Sequence, residues 1–308
     1  MNAMRVHLFG RFRVESDQGE LAGLEACKEQ TLLGYLLLHQ ERPHSREVLA
    51  SLLWGNYTTA QSRKYLRQAI WHINSQLQEQ RNGSGAALIV AEQEWVQLNH
   101  DLDLWVDALA FEETCAWVRG TPSHEMSDEG VKALQTAAQI YVGDFLEGCY
   151  EDWCILERER LQNMYLGLLG KLLQSCEARQ EYEAGLAYGQ AILRYDRAHE
   201  RTHRQLMRLY YMAGNRTDAL RQFQRCATAL REELDVEPSR LTIELHEQIR
   251  ADRLDELSPA PDEAKSAGPT TLPEILAHLK RLQSLMDGIQ GELRRDIDMV
   301  QAALNSAE

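Results

Sequence analysis

The chain has 308 residues, 44% of them hydrophobic, which is enough to bury real cores in two or three domains of ordinary size. Its formal charge of −14 has the wrong sign for a protein that coats nucleic acid by counterion release, so any DNA contact must be local. No run approaches the roughly 18 apolar residues of a membrane span, and MNAMRVHLFGRFRV carries arginines inside its apolar pattern where a signal peptide would be uninterrupted, so the expected compartment is the cytoplasm, with no membrane partner.

In chain order, Val6, Leu8, Phe12 and Val14 alternate, with an interruption at Gly10 and a turn-rich DQGE after them, which predicts a small antiparallel sheet. From Cys27 to His39, Leu32, Leu33, Leu36 and Leu37 recur at helix spacing until Pro43 stops the chain. Ser45 is the expected cap of a second helix, with Glu47 in its first turn, Val48, Leu49, Leu52 and Leu53 as its buried side, and Trp54 and Gly55 at its close. A third helix is predicted from Thr58 or Thr59 to about Glu79, with Leu66, Ile70, Ile73 and Leu77 forming one apolar stripe. RNGSG marks a turn, and ALIVAEQEWVQLNH then splits into two short strands around Ala91 to Glu94. Sheet, three helices and hairpin make a winged helix by element order. Residues 1–110 hold 10 lysines and arginines against 13 aspartates and glutamates, so this part is not basic.

From Phe111 to about Leu257 the pattern is helical, with loops at GTPSH, RQE, RYDRAH, AGN and DVEPS. Ala184 with Tyr188 is matched 35 residues on by Ala219 with Phe223, close to the roughly 34-residue TPR period. The alanine would let two helices approach while the aromatic one turn later fills the groove. Residues 258–272 mix Pro, Ala, Gly and charge and read as a flexible linker. Within 273–305, nine positions from Ile275 to Leu304 recur at steps of 3 and 4, a coiled-coil-like stripe that needs a partner, most simply a second copy of the chain in a homodimer.

Six cysteines, Cys27, Cys115, Cys149, Cys154, Cys176 and Cys226, show no CxxC or zinc spacing and are expected as reduced, mostly buried thiols; the six tryptophans are expected in the core. Glu157 to Arg160 and the row Arg194, Arg197, Arg201, Arg204, Arg208 are expected as salt-bridged solvated faces. Asp144, Glu147, Glu151 and Asp152 fit neither an EF-hand nor a glycosidase pair, and the ten histidines contain no HExxH. No catalytic residue, metal site or cofactor is expected, and no enzyme.

The stretch LLGYLLLHQERPHSREVLASLLW, with RKYLRQAIWHINSQL and LDLWVDALAFE after it, resembles the DNA-binding domain of SARP-type regulators, which share the OmpR-class winged helix. YVGDFLEGCYEDWCILERERL at 141–161 and HERTHRQLMRLYYMAGNRTDALRQFQRCATALREELDVEPS at 199–239 resemble the bacterial transcriptional activator domain (BTAD) that follows it there. The resemblance spans about residues 4–254 and rests on several long motifs in the family's order. It implies a mainly α protein: an N-terminal winged helix-turn-helix at 1–110, a TPR-like helical array at 111–257, and then the linker and C-terminal helix.

It also implies a transcriptional activator that binds repeated sites in double-stranded promoter DNA and engages RNA polymerase. Larger family members carry nucleotide-binding modules; nothing here reads GxxxxGK[ST]. With the aliphatic stripe of the third helix turned inward, Arg63, Lys64, Arg67, Trp71 and Asn74 fall on its outward side, where a helix in the major groove touches base edges and phosphate. Out of that context the cations are a solvated face, and Trp71 could pack beneath a neighbouring loop. Glu92, Gln93 and Glu94 give the wing an acidic tip. That tip and the net charge leave a second reading open, a protein-binding adaptor on a helical scaffold that does not contact DNA.

Overall fold

The computed structural model describes residues 4–16, 19–21, 23–24, 26–79 and 86–253; the turns at 17–18 and 81–85, the linker at 258–272 and the helix expected at 273–305 lie outside them. The described part is mainly α with two small sheets.

The alternating N-terminus folds as β1 (Met4–His7) and β2 (Arg13–Ser16), antiparallel with Val6 opposite Val14, followed by β3 (Gly19–Glu20). Gly10, where the alternation breaks, has φ 71°, a conformation that glycine adopts without Cβ strain. The helices expected next are α1 (Cys27–Leu38), α2 (Arg46–Trp54) and α3 (Thr59–Glu79). The wing is β5 (Ile89–Ala91) with β6 (Trp95–Leu98).

Two strands escaped the sequence reading because they are too short to show a period. The first, β4 (His44–Ser45), adds to the wing in the order β4-β6-β5, and the second, β7 (Leu104–Val106), lies parallel to β1 in the order β3-β2-β1-β7. Ser45 therefore precedes α2 as expected but makes no side-chain cap bond, its extended backbone being paired with Trp95. The buried side of α2 is also rotated by about one residue, with Leu49, Ala50, Leu53 and Trp54 inside and Val48 56% exposed.

The second half runs through α4 (Asp107–Trp117), a 3-10 turn at Ser123–Glu125, and α5 (Asp128–Ile140), where Ser127 accepts a capping bond from the Gly130 N–H. Then come α6 (Asp152–Arg179), α7 (Tyr182–Tyr195), α8 (Glu200–Met212), α9 (Arg216–Leu234) and α10 (Arg240–Arg250). Consecutive helices pack on one another in chain order, and α10 closes on both α8 and α9. Gln180 and Asp235, at φ 61° and 54°, end α6 and α9 in the left-handed conformation.

Ala219 is fully buried, as the repeat reading requires. Its counterpart Ala184 is only half-buried; in α7 the close approach belongs to Gly185 and Gly189, where an added Cβ would stand 2.8 Å from Leu209 Cδ1 and 2.5 Å from Leu206 Cδ2. Among the tryptophans only Trp54 and Trp153 are buried; Trp71, Trp95, Trp105 and Trp117 are exposed, at a helix face, the wing tip, an edge strand and a helix end. Cys149, Cys154, Cys176 and Cys226 are buried free thiols, but Cys27 is exposed.

Candidate nucleic-acid interface

The helix α3 is held from both ends. At its start the Ser62 hydroxyl, itself buried, donates to the carbonyls of Trp54 (2.7 Å) and Thr58 (3.1 Å), tying the end of α2 to the first turn of α3. Gln61 Oε1 accepts from the Thr58 N–H and hydroxyl, which satisfies an orphan donor of the helix start. Tyr65 meets Tyr57 edge-on at 5.1 Å and tilts over Trp54 at 6.5 Å, so the turn between the helices is filled with rings. Leu66, Ile70, Ile73 and Leu77 are buried as one stripe.

That stripe fixes which residues face solvent. Arg63, Lys64 and Arg67 are exposed within little more than one turn, and Trp71, 69% exposed, stands one turn beyond Arg67. Trp71 does not pack beneath a loop. It borders an open groove of about 430 Å³ lined by Lys28, Glu29, Tyr65, Gln68 and His72, in which His72 is 2.8 Å from Glu29. Arg63 reaches Glu47 of α2 at 3.3 Å, a surface pair of small energetic weight. Lys64 and Arg67 make no ion pair among the described residues.

Asn74 differs from the expectation. Its Nδ2 donates to the Ile89 carbonyl and its Oδ1 accepts from the Ile89 N–H, both at 2.9 Å, so its amide fastens β5 to α3 and is spent inside the protein. The helical drift of 100° per residue carries position 74 round toward the wing. Gln68, exposed one turn after Lys64, belongs to the outward face and was not singled out by charge. The wing tip, Glu92 to Glu94, is exposed and acidic, its turn closed by the Glu92 N–H to the Trp95 carbonyl at 2.9 Å.

A separate junction joins the two halves of the chain. Asp107, 1% exposed, accepts from the backbone N–H groups of Leu8, Phe9 and Ala108 at 2.7–3.0 Å, serving donors of β1's continuation past the end of β7. Burial pushes its carboxyl above the ordinary range while these N–H groups and His7 pull it back. The loop after α5 continues the join: the Leu146 N–H donates to the Leu8 carbonyl (2.7 Å) and Gly10 to Asp144 (2.8 Å), with Phe9 bridged to Phe145. An added Cβ on Gly34 of α1 would stand 2.8 Å from Leu146 Cδ1.

Charged residues lock this loop. Lys28 binds Glu151 at 2.6 Å and the Leu53 carbonyl, and Arg158 donates to the carbonyls of Phe145, Leu146 and Cys149. Arg158 thus clamps backbone and does not sit on the solvated face expected for it. Its neighbour Arg160 does pair, with Glu112 and Glu157. In the arginine row, Arg197 meets Glu232 and Glu233, Arg204 meets Glu200 and Arg208 meets Glu177. Among the described residues no cluster of three or more His, Cys, Asp or Glu could hold a metal ion, and no helix is long and apolar enough to cross a membrane.

Residues 106–250 match the family model of the bacterial transcriptional activator domain. Among solved structures, Mycobacterium tuberculosis EmbR in complex with a low-affinity phosphopeptide has a similar fold, with a TM-score of 0.67 over 86% of this chain and 69% of that one at 19% identity. No curated protein matches the sequence. The domain match and the shared fold bear out the resemblance to SARP-type regulators.

Proposed function

We propose that this chain, whose residues 106–250 match the bacterial transcriptional activator domain, is a SARP-type regulator that activates transcription by laying α3 in the major groove of promoter DNA. The observation that carries the reading is the single exposed face of Arg63, Lys64, Arg67 and Trp71 on a helix braced by α2, the ring-filled turn and the wing. In the groove, Arg63, Lys64 and Arg67 supply phosphate contacts or guanine readout, and Gln68 has the amide that pairs with adenine. Trp71 offers apolar surface to a sugar or a thymine methyl. Asn74 acts indirectly, by holding the wing to the helix.

The acidic wing tip argues for modest affinity per monomer, and repeated sites with two tethered copies would raise it through effective concentration. In this reading 1–110 is the DNA-binding part, the helical part at 111–257 contacts RNA polymerase, and the apolar stripe at 273–305 makes the dimer. Light scattering of the full chain against a version ending at Leu257 tests the last point.

The decisive experiment is selection of binding sites from randomised duplexes by the full chain, followed by titration of the selected site at several salt concentrations. Selection of a repeated motif, with affinity lost in the combined Arg63→Ala, Lys64→Ala, Arg67→Ala variant and a salt slope lower by about one per phosphate contact removed, supports the reading. The acidic tip favours a second one, a protein-binding adaptor. Absence of any selected sequence, or equal affinity in the triple variant, would leave the adaptor standing.

A further inference from the structure

Two thiols from opposite halves of the chain meet at the junction. Cys27 opens α1, and Cys149 lies 122 residues away in the loop that docks on the N-terminal sheet. Their sulfurs are 2.9 Å apart, less than an ångström longer than the ~2.05 Å of a disulfide. Both are free thiols, and they differ in access: Cys27 is exposed, whereas Cys149 is 2% exposed and sits beneath it. Cys154, the other thiol nearby in sequence, is fully buried.

We propose that Cys27 and Cys149 form a redox modification site, closing a reversible disulfide across the junction when the protein meets a hydroperoxide. Exposure makes Cys27 the sulfur that meets the oxidant. With hydrogen peroxide its sulfur attacks one peroxide oxygen and the O–O bond breaks; Cys27 becomes a sulfenic acid and the other oxygen leaves as water, taking up the thiol proton. Cys149 then attacks the Cys27 sulfur, the S–O bond breaks, and hydroxide leaves with the Cys149 proton as a second water. Two thiols and one peroxide give one disulfide and two waters.

Proximity, and not acidity, suits the second partner to its resolving role. Burial, with the contact to Cys27, holds the Cys149 thiol above the ordinary cysteine range, while the Arg158 guanidinium lowers it. Arg158 also donates to the Cys149 carbonyl at 2.9 Å, and Lys28 ties α1 to Glu151 just beyond the loop. These bonds hold the two sulfurs together, so little chain motion precedes bond formation. The product pins α1, at the base of the α3 groove, to the helical half.

The test treats the full chain with a modest excess of hydrogen peroxide, blocks remaining thiols and maps peptides without reduction. The expected result is a peptide pair joined through Cys27 and Cys149, lighter by two hydrogen atoms than the separate thiols and lost on adding dithiothreitol. In Cys149→Ser the reaction should stall, so that a sulfenic-acid trap labels Cys27 there and leaves it largely unlabelled in the wild type. Oxidation of wild-type Cys27 to sulfinic acid without the joined peptide would overturn the proposal, and so would a covalent dimer through Cys27. The wild-type map decides the matter whether or not the serine variant folds.

Discussion

Replacing Asp107 with alanine tests the junction most directly. The carboxylate accepts from three backbone N–H groups, Leu8 N at 2.8 and 2.9 Å through its two oxygens, Phe9 N at 3.0 Å and Ala108 N at 2.7 Å. Leu8, Phe9 and Ala108 are at most 1% exposed, so water cannot take the place of the lost acceptor. Each buried donor left unsatisfied costs about 1–3 kcal/mol, while removing a buried carboxyl returns part of its desolvation penalty. A net loss of about 3–5 kcal/mol follows, a large share of the roughly 5–15 kcal/mol that holds a domain folded. Urea unfolding followed by far-ultraviolet circular dichroism should show the midpoint falling with the slope kept. Asp107→Asn retains one oxygen but turns an NH2 toward donors, so its midpoint should lie between the two. A loss below about 0.5 kcal/mol for the alanine variant would mean that these N–H groups do not depend on Asp107 and that the junction is held by packing alone.

Asn74→Ala removes both bonds to Ile89 and should destabilise by about 1–3 kcal/mol; if Asn74 only positions the wing, DNA affinity falls with an unchanged salt slope, and a lowered slope would contradict that role. His203, 3% exposed, has Nε2 2.9 Å from the Arg197 carbonyl and Nδ1 2.8 Å from Gln222 Nε2, an arrangement served by the neutral ring. Burial holds it below the ordinary 6.5, so the unfolded chain takes up the proton first; the stability it contributes is complete above 6.5 and is lost as pH falls below it. Urea midpoints at about pH 7.5 and about pH 5.5 should therefore separate more in the wild type than in His203→Phe, with His39 and His246, shifted the same way by burial, common to both. Equal separation would remove His203 as the cause.

Much of the fold was written in local patterns. The stripe Leu66, Ile70, Ile73, Leu77 announced both the length of α3 and the side it buries, because a helix repeats its environment every three to four residues. The same periodicity put Arg63, Lys64, Arg67 and Trp71 outside. Asn74 lay on the margin of that face, where the angle alone could not tell solvent from β5. The 35-residue spacing of Ala184 and Ala219 was legible, but the tight contact at Gly185 and Gly189 was not, since glycine spells a turn as readily as a close helix crossing.

Local periodicity along the chain was enough for α1 to α3, the hairpin wing, the aliphatic stripes that bury them and the helical run after Phe111, but the break at 141–151 that divides α5 from α6 left no such signal. The junction, by contrast, exists only in the folded chain. The short strand β7, the carboxylate of Asp107 beneath Leu8 and Phe9, the Arg158 clamp and the meeting of Cys27 with Cys149 join residues 98 to 122 positions apart, apart from the clamp, which spans 9 to 13. A buried Asp and an exposed Cys look like any other in one dimension. What separates them is which unpaired N–H or which second sulfur the folded chain brings within 3 Å, and no period along the chain encodes that.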